Sequence, residues 1–161
     1  MSKIPSVDEM VKQYPSRENR DEVAQLIGGT VGENILDPNY QAYKNTCAIR
    51  VSYALNYAGD PIPAGGGIRA AGGVRIRTDK GGDAKWYIYS TYDLRQYLTR
   101  RYNHPKRFKG DAYADDLKDI QGIIEFAYYH VDVWDGSSCA GHAYFGDSHV
   151  VNGEILVWEA P

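Results

Sequence analysis

The sequence predicts an α+β fold in one domain spanning residues 1–161, with helices first and an antiparallel sheet after them. Three observations predict it. Helical patterns with capping signals fill the first hundred or so residues, and strand-like runs fill the last third, an order that points to α+β rather than alternating βα units. A chain of 161 residues can bury one substantial core but is short for two. A hydrophobic fraction of 43% and a charged fraction of 24% are those of a globular protein, and no apolar run approaches the length of a membrane helix.

The elements follow in order. Ser6, with Glu9 three residues on, opens a short helix bounded by Pro15. Asn19 leads a second, which Gly28-Gly29 is expected to end by supplying left-handed backbone. The glycine-dense stretch to Asn34 lacks the Gly-Lys-Ser/Thr ending of a phosphate loop, and a cap and turn is the expectation. From Thr46 to Ala58, Cys47, Val51, Leu55 and Ala58 share one helical face, making this the best supported and central helix. Residues 61–85 hold seven glycines interleaved with Arg69, Arg75, Arg77, Lys80 and Lys85, which predicts a mobile loop near whatever site Cys47 serves.

Trp86 to Tyr89 reads as a short strand, and Thr91 as the cap of a helix running to Tyr102. Lys106-Arg107-Phe108-Lys109 is a local basic patch. Strands are expected over 121–128, 129–134, about 142–145 and 154–158, with Asp135-Gly136 as a hairpin signal.

Function classes narrow by exclusion. A net charge of −3 gives no general electrostatic reason to bind nucleic acid or an anionic membrane. Two cysteines make no disulfide framework, so both are expected reduced. The N-terminal residues carry no apolar core of a secretory signal, and the expectation is synthesis in the cytoplasm without classical export. No metal or cofactor motif is read.

A free cysteine is most often a small buried hydrophobe. Cys47, however, lies at a helix start, where the helix dipole favours thiolate. A cysteine nucleophile needs a base, and usually a third group to orient that base. Of the four histidines, His104 and His149 read as loop residues, whereas His130 opens the alternating strand His130-Val131-Asp132-Val133-Trp134. Cys47 and His130 are therefore the candidate pair.

This order, a cysteine at a helix start followed by a histidine on a strand, resembles the papain-like NlpC/P60 and CHAP peptidoglycan amidases. More closely, the chain resembles the type VI secretion amidase effector 4 family. The resemblance is carried by Ile27 to Ile35, by Asn45 to Asn56, by Tyr87-Ile88-Tyr89, Asp93-Leu94 and Tyr97-Leu98-Thr99, and by His130 to Ser137. It implies a papain-like fold and a bacterial toxin that hydrolyses the D-glutamyl-meso-diaminopimelate bond of peptidoglycan stem peptides. It also implies delivery by the type VI secretion apparatus into a rival's periplasm and a cognate immunity protein that plugs the groove. Cys47 would be the nucleophile, His130 the base, and the Cys47 backbone N–H an oxyanion donor.

The family usually presents an aspartate about eleven residues after the histidine, a position held here by Gly141. Hairpin register is the available guide. A two-residue Asp135-Gly136 loop would set His130 opposite Gly141, and a three-residue loop ending at Ser137 would set it opposite His142. The second supplies a polar orienter, so His142 is expected as the third residue, with Asp147 and Asp132 in reserve. Asp132 shares the face of His130, about 6 to 7 Å further along the strand. The family often has a disulfide in this region, but Cys139 has no cysteine near it in the chain. Arg69, Arg75, Arg77 and Trp134 are the candidate substrate contacts. Two other readings stay open from the residues alone: a papain-like peptidase or acyltransferase with another amide substrate, and a non-catalytic binding module in which Cys47 is core.

Overall fold

The computed structural model describes residues 3–67 and 75–161. Helices α1 (Val7–Gln13), α2 (Arg20–Ile27), α3 (Gly29–Leu36) and α4 (Cys47–Tyr57) come first, followed by strands β1 (Thr78–Lys80) and β2 (Trp86–Ile88) and helix α5 (Thr91–Tyr102). Strands β3 (Lys106–Lys109), β4 (Gly122–Phe126), β5 (His130–Trp134) and β6 (Glu154–Glu159) complete the chain and form a four-stranded antiparallel sheet in the order β3-β6-β4-β5. Strands β1 and β2 pair separately as a small hairpin. The α+β reading therefore holds.

Helix α4 is the centre because its composition lets it be buried on almost every side. Cys47, Ala48, Val51, Ala54 and Leu55 join a core built with Val131, Val133, Ile123 and Leu156 of the sheet. Ile49 faces a second cluster with Val23, Ile27, Val31 and Ile35. Two polar residues on the helix are satisfied by the β2 segment. Ser52 Oγ donates to the Ile88 carbonyl and accepts its N–H, both at 3.1 Å, and Asn56 Nδ2 donates to the Trp86 carbonyl at 2.8 Å. The nucleophile candidate thus begins a helix that is gripped by α1, the main sheet and the small hairpin.

Four local expectations are revised. The glycine-dense stretch after α2 is not a cap and turn but helix α3, with Gly28 at φ 66° linking the two helices. The end of the expected mobile loop folds as β1 and the turn into β2. The basic patch Lys106–Lys109 is the edge strand β3, where Lys106 pairs with Glu159 and Arg107 with Glu154 across to β6. The cap of α5 is Ser90 rather than Thr91, its hydroxyl accepting the Asp93 N–H at 3.3 Å.

The hairpin after β5 also departs from both registers considered. Trp134 bridges Cys139, leaving a four-residue loop over 135–138, and no strand forms over 142–145. Asp135 causes this. Its Oδ1 accepts the backbone N–H of Ser137 at 2.8 Å and of Ser138 at 2.7 Å, and these bonds widen the turn beyond the two-residue hairpin that Asp-Gly signals.

Helix packing at α2 and α3 yields a test. A Cβ on Gly32 would sit 2.5 Å from the Ala24 carbonyl oxygen, so Gly32→Ala must push the helices apart. The overpacking cost of about 1–3 kcal/mol exceeds the helix-propensity gain of about 1 kcal/mol. Urea unfolding is expected to show net destabilisation, the opposite of the propensity rule.

Candidate active site

Cys47 is the first residue of α4 and is 4% exposed. Burial pushes its thiol up to about 11, against a downward pull from hydrogen bonds with the backbone at Val131 and Ala48. The expected thiolate-favouring helix start is therefore outweighed by desolvation in the resting fold. The contact with Val131 sets the sulfur beside the residue that follows His130.

The backbone N–H of Cys47, expected to face an oxyanion, is occupied. It donates to Asn45 Oδ1 at 3.0 Å, while Asn45 Nδ2 donates to the Tyr129 carbonyl at 3.2 Å. Asn45 thus ties the helix start to the turn that delivers His130. That turn is strained, since Ala127 and Tyr128 have φ of 50° and 60°, a region that costs non-glycine residues about 1–3 kcal/mol each. It is held by surrounding groups. The Thr91 hydroxyl donates to the Tyr128 carbonyl at 2.8 Å, and Glu125, buried and paired with Arg95, accepts the Tyr128 N–H at 2.9 Å.

His130 finds its partner on its own strand. Residues two apart on a strand share a face, and the imidazole leans along it so that Nε2 lies 2.7 Å from Asp132 Oδ2. Asp132 is fully buried. Besides His130, it accepts the N–H groups of Val133 at 2.7 Å, Gly141 at 2.9 Å and His142 at 2.9 Å. A buried carboxylate survives when its lone pairs are met in this way.

The expected pairing of His130 with His142 is not formed among the described residues. His142 reaches Asp132 through its backbone, and its ring lies against Tyr144 with centroids 4.6 Å apart. Asp147 pairs instead with His149, Oδ1 to Nδ1 at 2.8 Å. The physical reason is the longer loop, which brings the backbone of Gly141 and His142, rather than a side chain, to the Asp132 carboxylate. A Cβ at Gly141 would lie 2.7 Å from Asp132 Oδ2 and 2.8 Å from the Tyr14 hydroxyl.

Cys47, His130 and His142 line one cavity of about 270 Å³, together with Tyr14, Asn45 and Arg50. Sequence reasoning missed those last three. Arg50 lies one turn after Cys47, a spacing that was available as a signal. Its Nε donates to Thr46 Oγ1 at 3.0 Å and its Nη1 to the Pro15 and Glu18 carbonyls, which pins the loop carrying Tyr14 to the site. Trp134 does not reach the cavity. It is fully buried, with its indole N–H donating to the Leu117 carbonyl at 3.1 Å, so it is core. Arg75 and Arg77 line a separate cavity, and Arg69 lies outside the described residues. Both cysteines are free thiols. Among the described residues no group of three or more His, Cys, Asp or Glu is arranged to hold a metal ion.

A family model described as type VI secretion system (T6SS), amidase effector protein 4 matches residues 43–158. Among solved structures, the chain is similar to the effector Tae4 from Salmonella typhimurium in complex with the immunity Tai4 from Enterobacter cloacae, at 28% identity and a TM-score of 0.80 over 98% of this chain and 99% of that one. It is also similar to the type VI effector Tae4 from Enterobacter cloacae, at 25% identity and a TM-score of 0.79 over 100% of both chains. No curated protein matches the sequence. The fold is thus the papain-like, NlpC/P60-type arrangement that the order of elements suggested.

Gly141→Ala tests the packing around Asp132. It is expected to destabilise the protein by about 1–3 kcal/mol and to shift the His130 imidazole signals in ¹H–¹⁵N spectra. Unchanged His130 signals would show that Gly141 and Asp132 do not compete for this space.

Proposed function

Because the chain belongs to the type VI secretion system amidase effector 4 family, we propose that it hydrolyses the D-glutamyl-meso-diaminopimelate bond of peptidoglycan stem peptides, with Cys47 as nucleophile, His130 as base and Asp132 as the residue that orients His130. Family membership makes it an amidase effector of type VI secretion, an antibacterial toxin directed at peptidoglycan. The cysteine mechanism and the bond cut are our reading. The observation that carries it is the cavity that Cys47 and His130 both line, with Asp132 bonded to His130 Nε2.

In this mechanism Asp132 accepts a hydrogen bond from the Nε2–H of His130, leaving Nδ1 as the basic nitrogen. That nitrogen accepts the thiol proton as the sulfur attacks the amide carbonyl, and the imidazolium gives the proton to the leaving amine. Asp132 stabilises the imidazolium in between. A thiol of high pKa is the stronger nucleophile once deprotonated, so burial of Cys47 serves attack provided His130 removes the proton. The developing oxyanion requires the Cys47 N–H, and substrate must displace the Asn45 amide oxygen from it. Water then releases the acyl group. The reading extends to action in a rival cell's periplasm and to neutralisation by an immunity protein, which the Tae4–Tai4 complexes among its structural relatives support.

Digestion of purified muropeptides, followed by mass spectrometry, tests this. Wild type is expected to release fragments ending at D-glutamate, Cys47→Ala none, and Asp132→Asn about 10²–10⁴-fold less. Fragments that persist with Cys47→Ala would sink the nucleophile assignment. Thiol alkylation gives a check that needs no substrate. In the intact protein burial favours the neutral thiol up to about 11, so alkylation near neutrality depends on His130 taking the proton. His130→Ala is expected to react about 10²–10⁴-fold more slowly there, and superimposed profiles would exclude proton transfer to His130.

A further inference from the structure

We propose that a cationic groove leading away from Cys47 binds a carboxylate of the stem peptide, with Arg77 as its fixed centre; this deepens and rests on the peptidoglycan reading above. Asn45, on the rim of the Cys47 cavity, also lines a cavity of about 310 Å³ with Lys44, Arg77 and Tyr89. Arg77 and Tyr89 in turn line a third cavity, of about 480 Å³, with Arg75 and Trp86. Among the described residues three cations therefore lie along the path, and no Asp or Glu lines either outer cavity. In a chain of net charge −3 this is a local reversal of sign, and such a reversal concentrates anions.

Arg77 is built into place rather than solvated at random. Its Nε donates to Asp93 Oδ2 at 2.7 Å; the Asp93 side chain is 4% exposed and that of Arg77 53% exposed. The guanidinium is thus anchored from beneath through Nε, and neither Nη has another partner among the described residues. It also lies 5.6 Å from the centroid of the Tyr89 ring, and Tyr89 stacks on Tyr43 at 4.7 Å. Asp93 sits in the first turn of α5, where the helix dipole helps to balance its charge, and it also accepts the Arg77 backbone N–H at 3.4 Å. With Asp93 engaging Nε, the Nη edge of the Arg77 guanidinium is the part left to meet a ligand. A planar, pre-oriented guanidinium suits a carboxylate better than a neutral sugar or amide. Under the proposed function the scissile bond joins two carboxylate-bearing residues, so an anionic arm leaves the cleavage point, and this groove is where it would lie.

The experiment is a protein–ligand double-mutant cycle in the full-length Cys47→Ala protein, which holds substrate without cutting it. Calorimetry would measure binding of L-Ala-γ-D-Glu-meso-diaminopimelate and of analogues in which each carboxylate is converted in turn to a carboxamide. Arg77→Gln is expected to weaken the parent ligand about tenfold to a hundredfold. Arg77→Lys, which keeps a cation beside Asp93, should recover part of this, and Lys44→Gln, which breaks no pairing, should cause a smaller loss. One carboxamide analogue should bind as weakly as the parent binds Arg77→Gln, with no further loss when the two changes are combined. Losses that simply add for every analogue, or full affinity of all carboxamides for the intact groove, would overturn the proposal, and the second result needs no groove variant to fold. Cleavage of muropeptides by wild type without this coupling would reject the groove alone. Coupling without cleavage would reject the hydrolytic reading and leave the groove standing.

Discussion

The buried carboxylate of Asp132 is the constraint on which the site depends. An isolated charge in a protein interior is costly, and it is tolerated where hydrogen bonds replace the water it has lost. Here the replacements come from two parts of the chain: the His130 ring and the Val133 backbone of β5, and the N–H groups of Gly141 and His142 in the returning segment. Meeting the charge therefore fixes the imidazole and folds the returning segment against β5 in one stroke. It also explains why position 141 has no side chain, since the space a Cβ would need is filled by the carboxylate and by the Tyr14 hydroxyl.

The second half of the site is held by burial. Helix α4 is clamped on nearly all sides, and its two buried polar residues are met by the backbone around β2 and at Ile62. Its first residue can move little. Asn45 then links that helix start to the strained turn before His130, and Arg50 pins the loop of Tyr14 across the same cavity. Rigid elements thus position both reacting groups, which is what pre-organised chemistry requires. The cost is a thiol whose ionisation is disfavoured until a base takes its proton.

Much of this was legible in the residues. The α4 pattern marked Cys47 as a helix start, and period-two alternation set His130 on a strand with Asp132 on the same face. Two inferences then went astray for identifiable reasons. The Asp135-Gly136 signal implied a short hairpin, but the Asp135 side chain captures two backbone N–H groups and lengthens the loop. Strand spacing made Asp132 look too distant, whereas an imidazole leaning along the strand closes the gap to 2.7 Å. Trp134 illustrates the same limit: it stands on the His130 face of β5 but at its other end, beneath Leu117 and Phe145.

What the sequence by itself determined was local and periodic: the order of helices before strands, the cysteine at a helix start, the histidine and acid on one strand face, and the family these motifs belong to. Those features depend on residues close together in the chain, where spacing fixes geometry. Tertiary structure alone decided that Asp132 rather than His142 meets the imidazole, that the thiol is buried, that Asn45 occupies the Cys47 N–H, and that Arg77 is shared by the cavity Lys44 lines and the one Arg75 lines. Each of these turns on a distance of a few ångströms between distant segments, or on water excluded by their packing, and neither quantity is written in the pattern of any one segment.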